Sequence, residues 1–105
     1  MFRTTTHLSE ILEESNKEPV IVFKYSNDCH TSETLKKELE EKIKNKNIIH
    51  PVYLVTVQIQ KALSRSIEEM FQIKHESPQI LIINKFKVTY TAHHKEISCD
   101  DFIFD

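Results

Sequence analysis

The run Val20-Ile21-Val22-Phe23 constrains this chain more than any other feature. Four consecutive apolar, β-prone residues suit a strand buried on both faces, and such a strand needs packing layers above and below its sheet. The flanking segments can supply those layers. Leu8, Ile11 and Leu12 fall at helical spacing, which predicts a helix over residues 7–16 that ends before Pro19. Ser26-Asn27-Asp28 is loop and helix-cap chemistry. A polar helix is expected over 30–44, burying Leu35, Leu39 and Ile43 and leaving a Lys/Glu-rich solvated face. Asn45–Asn47 stops it, and 51–57 reads as a second strand.

A further helix is expected over 60–71, with Leu63, Ile67, Met70 and Phe71 as core. Residues 79–83 read as a third strand. Asn84-Lys85 is the best hairpin turn available, and Val88, Tyr90 and Ala92 alternate on a fourth strand. Ser98 can cap a short last helix carrying Asp100 and Asp101 in its first turn. The order αβαβαββα describes an α/β fold: a mixed four-stranded sheet flanked by helices, with crossovers first and an antiparallel hairpin last. The chain has no glycine, so any left-handed turn must use Asn, Asp or another tolerant residue.

A chain of 105 residues is expected to form one domain, residues 1–105. The net charge of −2 gives no field to draw in nucleic acid or an anionic membrane. The start MFRTTTHLSE lacks the basic start and apolar run of a signal peptide, and no run is long enough to span a bilayer. A cytoplasmic location is therefore expected. Two cysteines, Cys29 and Cys99, are too few for a disulfide scaffold. No His or Cys spacing matches a structural zinc site, and adjacent His93 and His94 on a strand would point to opposite faces and could not readily chelate together.

The chemistry is expected where the first strand gives way to its helix, at Asp28-Cys29-His30-Thr31-Ser32. A cysteine at a helix N-terminus faces unpaired N–H groups and the positive dipole end, and both favour thiolate, the nucleophilic form. Ser32, roughly one turn on, can bring its hydroxyl back to the sulfur. This is a Cys-x-x-Cys arrangement with an alcohol in place of the second thiol. Such a site cannot close a local disulfide and can only form and release mixed disulfides. His30, when protonated, would lower the thiol pKa, with Asp28 and Glu76 opposing it. The competing view of Cys29 is a buried, inert thiol. His30, likewise, could be an exposed helix-start residue without a role.

A second segment, His75-Glu76-Ser77-Pro78-Gln79, enters the third strand. Proline there removes a ladder donor and holds Ser77 extended. A cis Ser77–Pro78 bond is accessible, while composition alone favours a trans proline marking the strand start. His75 either lines the active-site groove or is a loop residue.

These stretches resemble the YtxJ-like monothiol bacilliredoxins. Val20–Ser26 followed by Asp28–Ser32 is similar to the family's Phe-Lys-His-Ser leading into Cys-Pro-Ile-Ser. His75–Gln79 before an Ile/Leu strand is similar to its second signature, and Ala92-His93-His94 also resembles it. The similarity spans nearly the whole chain. His30 and Thr31 stand where the family has Pro and Ile. Lys95 stands where an aromatic is expected. The resemblance implies a thioredoxin-like fold with Ser77–Pro78 cis, and a loop at Glu76, Ser77 and Pro78 that pairs with substrate beside Cys29. It implies that Cys29, aided by Ser32, removes bacillithiol from S-thiolated client proteins. No tightly bound cofactor or metal is expected. Bacillithiol or another low-molecular-weight thiol would be the co-substrate, and a second thiol or a partner reductase would resolve the adduct. Cys99 is expected to be a packing residue.

Two other readings compete. One is a non-catalytic thioredoxin-fold module that binds peptides. The other is a glutathione-using monothiol glutaredoxin-like protein, which ranks lower because the chain has no glycine for a glutathione-cradling loop.

Overall fold

The computed structural model describes residues 1–97. Helix α1 spans Leu8–Ser15, strand β1 Val20–Tyr25, helix α2 His30–Lys44, strand β2 Val52–Thr56, helix α3 Lys61–Phe71, strand β3 Gln79–Asn84 and strand β4 Lys87–His93, followed by a 3-10 turn at His94–Glu96. The expected last helix, with Ser98 and Cys99, lies outside the described residues.

The sheet order is β2-β1-β3-β4. β1 runs parallel to β2 and antiparallel to β3, and β3 pairs antiparallel with β4. All six β1 residues are buried, so the strand extends past the apolar run through Lys24 and Tyr25. Its side chains alternate between two layers. Ile21, Phe23 and Tyr25 pack with Leu35 and Leu39 of α2, while Val20 and Val22 pack with Ile11 of α1 and Leu63 and Ile67 of α3. Each fully buried aliphatic side chain contributes roughly 1.5–3 kcal/mol, so these two layers carry the fold. The N-terminal segment covers the outer edge of β2: Arg3 N–H donates to the Val52 carbonyl at 2.8 Å, and Leu54 N–H to the Arg3 carbonyl at 2.9 Å.

Four expectations change. The hairpin turn is Lys85-Phe86, not Asn84-Lys85, because Asn84 still pairs with Lys87 as the last rung. Both turn residues are left-handed, with φ 51° and 67°, the backbone of a two-residue primed turn. Ser15 makes this tolerable: its carbonyl accepts from Lys85 N–H at 2.8 Å and its hydroxyl oxygen from Phe86 N–H at 3.3 Å. Val88 and Tyr90 do not share a face. A bulge between Ile82 and Ile83 places Thr89 opposite neither, so Val88 packs on the α1/α3 layer and Tyr90 on the α2 layer. Met70 is 48% exposed and borders an open cleft with Phe86 instead of filling the core. Finally, His93 and His94 do not both lie on a strand: β4 ends at His93, His94 opens the 3-10 turn, and the two rings meet edge to face at 5.4 Å. The N-cap position of α2 belongs to Cys29.

Candidate active site

The loop before Cys29 is tied down from two sides. Ser26 Oγ donates to Asp28 Oδ1 at 2.6 Å and accepts from Gln58 Nε2 at 2.7 Å. Asn27 N–H donates to Gln58 Oε1 at 3.1 Å. Gln58, in the β2–α3 connection, therefore holds the Ser26–Asp28 loop, and no local pattern in the sequence marks it out. Ser26 N–H also donates to the buried Ser32 Oγ at 3.3 Å, closing the loop onto the first turn of α2.

Cys29 is partly exposed and is a free thiol. Its pKa lies below the ordinary value. The backbone N–H of Ser32 is the main cause, assisted by the Ser32 hydroxyl and the Thr31 N–H; partial burial and the Asp28 carboxylate oppose them. These are the unpaired amides of a helix N-terminus acting on a sulfur at the N-cap. Behind the loop, the Tyr25 hydroxyl donates to Glu33 Oε2, and Lys36 lies over the Tyr25 ring at 4.8 Å. The Glu33 bond pushes the Tyr25 pKa up to about 12, keeping it a neutral donor.

His30 is exposed and contributes, with Thr31 and Thr34, to a groove of about 360 Å³ closed on its other side by His94 and Ile97. Glu76 does not turn to the thiol. It pairs with His94 Nε2 at 2.8 Å, and that bond holds its carboxyl below the usual range. His94 takes a left-handed backbone, φ 52°, and its N–H donates to the Pro78 carbonyl at 2.9 Å. The Ser77–Pro78 bond is cis. Lys24 on β1 stands opposite Gln79 on β3, so the chain leading to Cys29 and the chain leaving Pro78 meet at the same end of the sheet.

The structure adds a cluster on the α3 side of that end. Lys24 is fully buried, and its Nζ donates to the Ser64 carbonyl at 3.0 Å and lies 3.3 Å from His75 Nδ1. Ser64 Oγ is also 3.3 Å from His75 Nδ1, and His75 N–H donates to Glu68 Oε2 at 2.9 Å. Of the two placements expected for His75, neither anticipates this pairing with Lys24. A charged residue continuing a buried apolar run was the available signal, since a buried ammonium requires partners.

Solved structures share this arrangement of chain. A thioredoxin-fold protein described as a candidate oxidoreductase superposes with a TM-score of 0.79 at 20% identity, covering 92% of this chain and 86% of its own. The Trxlp protein of Edwardsiella tarda gives 0.74 at 14% identity, covering 97% and 98%. Oxidised thioredoxin from Plasmodium falciparum gives 0.65 at 17% identity, covering 89% and 85%. The chain is thus a thioredoxin-fold α/β protein with a cysteine at the start of its second helix. Over residues 1–102 it matches the monothiol bacilliredoxin BrxC family, and it belongs to that family. Its function is thiol–disulfide redox chemistry. No helix among the described residues is long and apolar enough to cross a membrane.

Proposed function

We propose that this protein removes bacillithiol from mixed disulfides on client proteins, with Cys29 as nucleophile. The observation that carries the reading is a bacilliredoxin-family chain with Cys29 at the N-cap of α2, where the Ser32 backbone N–H and hydroxyl lower the pKa of its thiol. The Cys29 thiolate attacks the bacillithiol sulfur of the protein–bacillithiol disulfide. A new S–S bond forms between Cys29 and bacillithiol as the old one breaks, and the client sulfur leaves as thiolate and takes a proton from water. A second low-molecular-weight thiol, as thiolate, then attacks the bacillithiol sulfur of the adduct. It departs as a small disulfide and returns Cys29 as thiolate; a partner reductase could supply that second thiol instead. Ser32 and the α2 N-terminus stabilise negative sulfur when Cys29 attacks and again when it leaves. The Glu76–Pro78 loop would hold the client backbone, and no tightly bound cofactor is needed. The reaction suits the reducing cytoplasm.

The test is a client protein carrying bacillithiol, with a glutathione-carrying counterpart beside it. Wild-type protein should release the client thiol and gain the mass of bacillithiol on Cys29. Release that persists in Cys29→Ala ends the mechanism. Preference for the glutathione adduct would replace bacillithiol as the co-substrate. An intramolecular Cys29–Cys99 disulfide would make Cys99 the resolving thiol.

A further inference from the structure

Lys24 has no part in the exchange steps above, yet it is a fully buried cation at the active-site end of β1. A charged Nζ can only donate, so its 3.3 Å contact reads His75 Nδ1 as acceptor and the ring as neutral with its proton on Nε2; Ser64 Oγ, also 3.3 Å from Nδ1, shares that lone pair. His75 is thereby fastened at its side chain to β1 and at its backbone N–H to Glu68 on α3. The chain that follows is fastened by Gln79, whose Nε2 donates to the Lys74 carbonyl at 3.0 Å and whose Oε1 accepts from Glu76 N–H at 3.4 Å. Gln79 is itself the rung opposite Lys24. One lysine thus stands at the junction between the strand that delivers Cys29 and the loop that carries Ser77 and Pro78.

We propose that Lys24 is a positioning residue for the exchange reaction, fixing through His75 the loop that presents Ser77 and Pro78 to the client chain. The inference rests on the reading of that loop as the client-binding wall. It also supplies an acid limit. Protonation of His75 puts a second N–H against the Lys24 ammonium and removes the acceptor, so the fastening opens. The charged groups around His75 are Lys24 from β1, Glu68 from α3, and Lys74 and Glu76 on its own segment; Lys61 and Arg65 of α3 line a pocket of about 190 Å³ that reaches it from solvent. Burial, and then the Lys24 charge, hold the His75 pKa below the ordinary histidine value.

The experiment compares wild type, Lys24→Met, His75→Ala and the double variant. With a client peptide in mixed disulfide with bacillithiol, Lys24→Met should raise KM roughly tenfold at unchanged kcat, the scale of one lost charge-assisted hydrogen bond. His75→Ala should match it, and the double variant should be no worse than either. Alkylation of Cys29 by iodoacetamide, which needs no client wall, should proceed at the wild-type rate in all four. Amide exchange at His75 and Glu76 should quicken in Lys24→Met, and the His75 ring should titrate closer to the ordinary value. A KM within twofold of wild type overturns the proposal. So does a fall in alkylation parallel to the loss of exchange activity. Should wild type reduce no such disulfide, the functional reading fails, and the amide-exchange and ring-titration arms still decide the role of Lys24.

Discussion

Ser32 acts on Cys29 through two groups that a single substitution separates. Ser32→Ala removes the hydroxyl and keeps the backbone N–H, which is the larger influence on the sulfur. The apparent pKa of Cys29 should therefore rise in Ser32→Ala but stay below the ordinary thiol value, and alkylation at neutral pH should slow by a few-fold. Following thiolate absorbance against pH checks this. Lys24 makes a different prediction, one about stability. Its folded pKa is lowered to about 8 from 10.5, with burial as the main cause. Between those values the unfolded chain holds a proton that the folded chain has released, so stability gains with rising pH. Below about pH 8 both states are charged, and the burial penalty is constant. The melting temperature of wild type relative to Lys24→Met should therefore climb from pH 8 towards 10.5; a flat difference would place the ammonium in a more solvated setting. Cys29 could be read from the sequence because its cue is local: a thiol between loop chemistry and a helix start. The Lys24 cluster could not, since Ser64 and His75 lie 40 and 51 residues away along the chain. Gln58 holds the Cys29 loop from a similar remove.

Helix α2 shows how this chain terminates its elements without glycine. Lys46 is left-handed, φ 61°; its N–H reaches the Ile43 carbonyl at 3.1 Å, and Asn47 N–H reaches the Lys42 carbonyl at 2.8 Å. That is a Schellman ending with lysine at the position where glycine is strongly favoured. An exposed Lys46→Gly should relieve about 1 kcal/mol of backbone strain and raise the melting temperature by roughly 4–8 °C, measured by thermal denaturation. No change would mean that the unfolded-state entropy of glycine offsets the gain. The boundaries of α2 and the span of α3 could be read from apolar spacing and capping residues. The hairpin could not be read as well. Without an Asn-Gly or Asp-Gly pair to mark it, Asn84 looked like a turn residue, and the bulge at Thr89 left no trace in the alternation of Val88, Tyr90 and Ala92.

At the scale of the whole molecule, β1 and β3 are central and almost wholly buried, whereas β4 lies along one edge and alternates exposed and half-buried positions over Lys87–Thr91. Amides of Val20–Phe23 and Ile80–Ile83 should therefore exchange only through global opening, and those of Lys87–Thr91 much sooner; hydrogen exchange read by NMR tests the order. Equal protection across β4 would mean that something covers its edge. The two-layer plan was legible in Val20–Phe23 because every side chain in the run is apolar and both faces must be packed.

The hairpin turn draws its geometry from far outside itself. Ser15, 71 residues before Phe86, supplies the acceptors that hold both left-handed turn residues. A peptide cut to residues 79–93 lacks those acceptors and has no turn pair inclined to fold back unaided. The closing strand of the sheet is therefore not an autonomous unit: it depends on the first helix being seated, and a chain shortened at its start would lose order at its last hairpin.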